Sequence, residues 1–129
     1  MHLNDYQEAV VGHAFYPEQG SGKLEYPLLA LAGEVGELCN KYKKIMRADR
    51  SVEVADRQDL ADELGDVLWY ATAVAEELDT TLEAVCLANL DKLNGRRKEG
   101  LKSGKLTQCD CGAVFRQTVR TCPRCGAVR

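Results

Sequence analysis

The sequence predicts an all-α fold: a helical bundle of four main helices, followed by a small β-hairpin module held by cysteines. Three observations carry this. Apolar residues recur at alternating steps of three and four through residues 27–47 and again through 56–78, the signature of helix faces that pack. Nothing in residues 1–95 alternates with the period of a strand. Four of the six cysteines crowd into the last twenty-one residues, just after an abrupt change of charge.

Taken in order, the first helix is expected from Asn4, an N-cap residue with Gln7 three positions on, to about Tyr16 before Pro17. "PEQGSG" at 17–22 is a flexible connection. The second helix runs from about Pro27 to Arg47 with Leu28, Leu31, Val35, Leu38, Tyr42 and Ile45 on one seam. The third runs from about Asp56 to Leu78 with Leu60, Leu64, Val67, Ala71, Val74 and Leu78 on another. Such seams favour helix-on-helix packing. The fourth helix is expected to begin at Thr80, with Glu83 completing a capping box, and to end near Gly95. "RRKEGLKSGKL" is basic, glycine-punctuated and without helical periodicity, so residues 96–106 read as a linker between a 1–95 helical domain and a 107–129 cysteine module. A β-prone run, Ala113 to Val119, separates the two cysteine pairs.

Composition bounds the function. The 129 residues are 45% hydrophobic, which suits one modest folded domain with a small appendage. No apolar run approaches the ~20 residues that span a bilayer, and "MHLNDYQEAV" lacks the basic-then-apolar order of a secretory signal, so the cytoplasm is the expected location. Charge is divided sharply. Residues 1–95 hold eight Lys/Arg against eighteen Asp/Glu, and residues 96–129 hold nine against two. An acidic body with a basic tail suggests two parts with different partners, the tail suited to polyanions, nucleic acid among them.

The acidic body carries one repeated device. "GEVGEL" (33–38) and "DELGDVL" (62–68) each place two acids three residues apart around a glycine, inside an apolar helical pattern. Glu34 and Glu37 each precede a seam position, and Glu63 and Asp66 do the same on the third helix, so each pair flanks its own seam. If the two helices pack along those seams, four carboxylates converge at one edge of the interface. Like charges so placed must protonate or share a cation, and hard divalent cations with oxygen ligands, Mg²⁺ above all, meet that need. Gly36 and Gly65 each cost about 1 kcal/mol against Ala in a helix interior; a close helix approach, or room for a ligand, would explain them. The plainer reading is solvated charge, or pairing with Lys41, Lys43, Lys44 and Arg57 at helical spacings.

Glu34-x-x-Glu37 followed by Glu63-x-x-Asp66 resembles the signature of MazG-like all-α nucleoside triphosphate pyrophosphohydrolases. The resemblance extends to Tyr6-Gln7, "LALAGEVGEL", Lys43-Lys44, "ELGDVLWY" and "NLDKL", and covers about residues 4–97. It implies a helical bundle that assembles as dimers or tetramers and uses Mg²⁺ (or Mn²⁺) to cleave (d)NTPs to the monophosphate and pyrophosphate. It also implies that Glu34, Glu37, Glu63 and Asp66 are the metal ligands and the catalytic carboxylates, one of them orienting the attacking water. Catalysis of this kind needs no nucleophilic side chain. The family's N-x-x-K pattern matches Asn89 and Lys92, with Arg96 on the same helix face, and these are the candidate phosphate-binding groups. Lys41 and Lys44 follow the first acid pair on its helix, and Tyr70, one turn after Asp66, is a candidate base-stacking or core residue.

Cys109-x-Cys111 and Cys122-Pro-Arg-Cys125-Gly126, ten residues apart, resemble a zinc ribbon, in which two ligand pairs joined by a hairpin offer four thiolates to Zn²⁺. The first pair is tighter than the usual two-residue gap. Arg116, Arg120, Arg124 and Arg129 make the module basic. Two function classes follow. One is a nucleoside triphosphate pyrophosphohydrolase acting as a homo-oligomer; the other is a nucleic-acid-binding adaptor whose helical body mainly oligomerises. They part on whether the acids or the cysteines are dispensable.

Overall fold

The structure, a computed structural model, describes residues 1–128; Arg129 lies outside the described residues. Its elements are α1 (Leu3–His13), α2 (Glu25–Arg47), α3 (Val54–Glu77), α4 (Leu82–Lys102), β1 (Leu106–Gln108) and β2 (Val114–Arg116). Met1–Val85 forms one compact unit and the chain from Cys86 onward forms a second. The all-α architecture with a terminal hairpin is the one the chain adopts. No helix among the described residues is long and apolar enough to cross a membrane.

In the first unit α3 is the central element, with α2 packed along it and α1 on another side. The connection between α2 and α3 is only residues 48–53, so the two run antiparallel, and Lys41 on one faces Glu63 on the other. The apolar seams are only partly covered by this packing. Ile45 is 5% exposed, but Leu28, Val35 and Tyr42 on α2, Leu64 on α3 and Leu78 just past the end of α3 are 42–54% exposed. The buried residues of α3 are instead Glu63, Thr72, Ala73, Ala75 and Glu77, small side chains and hydrogen-bonded carboxylates. Periodicity located the helices, but the faces they bury within this chain are mostly not the apolar stripes it marked.

Helix ends differ from the sequence expectation in an instructive way. α1 begins at Leu3 and ends at His13, and the carboxylate of Asp5 accepts the His2 N–H at 2.7 Å. An acid in the first turn satisfies an orphan donor and complements the helix dipole. Asn4 therefore does not cap; its amide donates to Glu83 at 2.8 Å. Gln7, which is buried, donates to Glu76 and to the Thr80 carbonyl and accepts the Leu82 N–H at 2.7 Å. One side chain thereby ties α1 to the α3–α4 corner. α4 starts at Leu82, where the Thr81 hydroxyl, rather than Thr80, accepts the Ala84 N–H. Asp56 caps α3 through the Glu53 N–H at 2.9 Å, and the Arg50 guanidinium bonded to it holds its carboxyl down to about 2.

The α1–α2 connection is not left free. Glu77, 6% exposed, accepts the Tyr16 hydroxyl and the Gly20 N–H, both at 2.7 Å, and the Gly22 N–H at 2.8 Å. Gly20 and Gly22 have φ of 74° and 77°, the left-handed backbone that lets both amides point inward. Burial pushes the Glu77 carboxyl up, but these three donors together pull it below its ordinary value of 4.5. A depressed carboxyl contributes stability that is present above that value and is lost as pH falls through the folded one. Glu77→Gln, with a weaker acceptor and one surplus donor, is expected to cost about 2–3 kcal/mol and to flatten the acid limb of the stability profile. Urea unfolding of both chains at pH 7 and pH 4 checks this; equal stability at both pH values would contradict it.

In the second unit α4 does not stop at Gly95; it continues through "RRKEGLK" to Lys102. Arg, Lys, Glu and Leu are good helix formers, and propensity carries a segment whose apolar periodicity has faded. The turn at Gly104, with φ 69°, ends it. A Cβ at Gly100 would stand 2.5 Å from Leu106 Cδ1, so this glycine lets the strand leave close against the helix. β1 and β2 pair antiparallel with Leu106 opposite Arg116 and Gln108 opposite Val114, a shorter β segment than the run to Val119.

Candidate functional site

Helical geometry brings Glu34 and Glu37 onto one face of α2, one turn apart, and the antiparallel pairing brings Glu63 of α3 opposite them. One carboxylate oxygen from each of the three lies within 4.8 Å of the others. Glu63 is buried, Glu34 half-buried and Glu37 exposed, so the cluster sits at the mouth of the α2–α3 interface. Burial pushes the Glu34 carboxyl up, and the charges of Asp66, Glu37 and Glu63 push it further. Asp66 stands outside the three-oxygen group, exposed, yet its charge reaches Glu34, Tyr6 and Tyr70. A Cβ added at Gly36 or Gly65 would meet nothing within 4 Å. Close helix approach therefore does not explain these glycines.

A cation already attends the cluster. Lys41 Nζ lies 2.7 Å from Glu63 Oε1, an ion pair that raises the Lys41 ammonium above its ordinary value. Lys41 and Lys44 also line, with Arg50, a hollow of about 250 Å³. A separate hollow of about 500 Å³, between α1 and the α3–α4 corner, contains none of the four acids.

Toward the other end of the cluster the wall is aromatic. Tyr16 and Tyr26 stack with ring centroids 5.7 Å apart, Trp69 meets Tyr16 edge-on at 6.4 Å, and Trp69 meets Tyr70 edge-on at 4.7 Å. Tyr70, half-buried, hydrogen-bonds Tyr26, and its hydroxyl is pushed up chiefly by burial and also by the charges of Glu34 and Asp66. Asn89, Lys92 and Arg96 lie on the stretch of α4 that belongs to the second unit, all exposed and without a hydrogen-bond or ion-pair partner among the described residues. Sequence reasoning missed Tyr26, Arg50 and Glu77. The first two sit next to motif residues, so only proximity in space singles them out; Glu77 reads as one more surface acid until its three donors are seen.

The cysteine module is a second cluster. Its four sulfurs lie within 4.8 Å of one another, with Cys109–Cys125 and Cys111–Cys122 each at 3.6 Å. A tetrahedron of sulfurs about 2.3 Å from a zinc has edges of about 3.8 Å. The tight Cys-x-Cys spacing is accommodated because Gly112, at φ 84°, turns the chain back after Gly112 N–H bonds the Cys109 carbonyl at 2.8 Å. Gly126, at φ 74°, does the same after Cys122. The Cys125 N–H pulls the Cys122 thiol down to about 6, against burial. At Cys111 the Ala113 N–H favours the thiolate, but burial and the other three sulfurs push the thiol up to about 12. One thiol ionises readily and the next does not, as expected of a set whose full ionisation needs a cation.

A family model described as the MazG nucleotide pyrophosphohydrolase domain matches residues 23–101, which hold both acid pairs and α4 to within one residue of its end. The chain is 41% identical over 109 residues to the Gene 37 protein of Mycobacterium phage L5, an alignment covering 81% of this chain and 96% of that protein. No solved structure matches the chain significantly. The chain belongs to the MazG nucleotide pyrophosphohydrolase domain family.

Proposed function

We propose that the protein is an Mg²⁺-dependent nucleoside triphosphate pyrophosphohydrolase that cleaves (d)NTP to (d)NMP and pyrophosphate by attack of water on the α-phosphorus. The observation that carries this reading is the cluster of Glu34, Glu37 and Glu63, three carboxylates held in mutual repulsion at an open edge with Asp66 beside them. All-oxygen, multiply anionic donor sets suit a hard divalent cation and leave it waters and phosphate oxygens to share. Bound there, Mg²⁺ would neutralise charge developing on the phosphates. Glu34, Glu37, Glu63 and Asp66 hold the cation, and one of these carboxylates accepts a hydrogen bond from the attacking water, orienting it in line with the scissile bond. Lys41, Lys44, Asn89, Lys92 and Arg96 bind the phosphates, and Tyr70 braces the aromatic wall that limits where the base can lie. Incubation with each NTP and dNTP plus Mg²⁺, read by pyrophosphate release, tests the reading; no release from any of them would end it.

Two further parts belong to the proposal. Cys109, Cys111, Cys122 and Cys125 bind one structural Zn²⁺, supported by sulfur spacings close to those of a four-thiolate site. The exposed stripe of Leu28, Val35, Tyr42 and Leu64 supports assembly as a homo-oligomer, because apolar surface of that extent on a small chain is normally covered. Light scattering should give a mass of at least twice 14.3 kDa, and a single-chain mass at micromolar concentration would refute it.

A further inference from the structure

Lys41 does something in this site that phosphate binding alone does not explain. Glu63 is 9% exposed, and a carboxylate so placed needs a partner. Its partner is the Lys41 ammonium at 2.7 Å, and among the described residues no other cation forms an ion pair with any of the four acids. Lys41 is one turn beyond Glu37 on the same face of α2, so its four-carbon stem can lay the ammonium against the cluster or withdraw it without moving the backbone. Its side chain is 38% exposed, so the withdrawn position is already open to solvent.

We propose that Lys41 is a resident counter-ion of the carboxylate cluster, holding Glu63 until a divalent cation takes that place and the ammonium passes to the polyphosphate. This rests on the reading of the acids as a metal site. A single positive charge offsets only part of the repulsion among three carboxylates, whereas a divalent cation offsets more, so the exchange runs forward when the metal arrives. The displaced ammonium loses its partner, and a triphosphate supplies a new one. Metal and nucleotide are then coupled: each binds more tightly in the presence of the other, and the coupling passes through Lys41. Arg50, bonded on both guanidinium nitrogens to Asp56, is already committed and cannot take this part.

The test is Mn²⁺ titration without nucleotide, followed by calorimetry or electron paramagnetic resonance, on the full chain and on Lys41→Met, Lys41→Arg and Glu37→Gln. Lys41→Met removes the competing charge and should bind Mn²⁺ about tenfold more tightly than the parent chain. Lys41→Arg keeps the charge and should stay close to the parent. A non-hydrolysable triphosphate analogue should tighten Mn²⁺ binding in the parent and do so less in Lys41→Met. If Lys41→Met binds Mn²⁺ no better than the parent while Glu37→Gln abolishes binding, the metal site stands and the counter-ion role is overturned. Equal weakening in Lys41→Met and Lys41→Arg would also overturn it, since that marks a packing role. Absence of Mn²⁺ binding in every chain overturns both the counter-ion role and the metal site beneath it.

Discussion

Glu37→Gln and Glu63→Gln should each lower kcat/KM for the preferred triphosphate by more than about 100-fold. Loss of a group that merely orients a metal ligand typically costs 10–100-fold, and a ligand itself costs more. The substitution preserves volume and one acceptor oxygen, so what is lost is charge. Stability should move the other way. Glu34 is held above its ordinary carboxyl range by burial and by the charges around it, which marks a site that is electrostatically strained when no cation is bound. Removing the Glu37 charge relieves the strain and leaves the Lys41–Glu63 ion pair intact, so metal-free Glu37→Gln should unfold at the same temperature as the parent or higher. Loss of activity with retained or increased stability is the pattern of a functional site maintained against the interest of the fold. Thermal unfolding in chelator, run beside the kinetic assay, reads both quantities. A variant that lost activity only in proportion to lost folded protein would show that these acids serve the fold instead.

The second large effect concerns the cysteine module. The stretch from Leu106 on has a three-residue hairpin, two glycine-closed knuckles and little apolar surface to bury, so its order should come from the metal. Structural zinc contributes about 10–16 kcal/mol of apparent binding free energy in small modules at neutral pH. Cys122, the one buried cysteine of the four, is the most consequential position. Cys122→Ser, or treatment with a strong zinc chelator, should melt residues 106–128 while α1–α3 persist. Amide hydrogen exchange should then show full loss of protection at Cys109, Gly112, Cys122 and Gly126, whose backbone N–H groups are bonded in the knuckles, and unchanged protection in α3. Retention of those slow amides after metal is removed, or a metal content below one zinc per chain, would contradict the account.

How much of this was legible beforehand follows from which forces act locally. The four helices were readable because apolar spacing and capping are encoded over three or four residues at a time. Their ends were less readable, because Asn4 and Gln7 look like a capping pair but are spent on contacts with Glu83 and the α3–α4 corner, more than seventy residues away. α4 outran its apolar pattern because the charged residues after Gly95 carry helix propensity without periodicity. Convergence of the acids was legible from register: two pairs, each one step off its seam, on helices joined by a short turn. Which three come closest, and that Lys41 stands among them, depends on side-chain reach across the interface and could not be read from spacing. The role of Glu77 was invisible for the same reason, since its donors come from a loop some fifty-five residues earlier in the chain. The glycines in "GEVGEL" and "DELGDVL" were readable as a cost, and the open space at both positions removes close helix approach as its explanation.

The central claim, that the acids of α2 and α3 run water attack on the α-phosphorus, has one direct test. The protein is given its preferred triphosphate and Mg²⁺ in water enriched in heavy oxygen, and the products are read by phosphorus NMR and mass spectrometry. The account predicts monophosphate and pyrophosphate in equal amounts, with the label only in the monophosphate, and none of this in Glu37→Gln. Orthophosphate and nucleoside diphosphate as products, label in the pyrophosphate, or undiminished turnover by Glu37→Gln would contradict it.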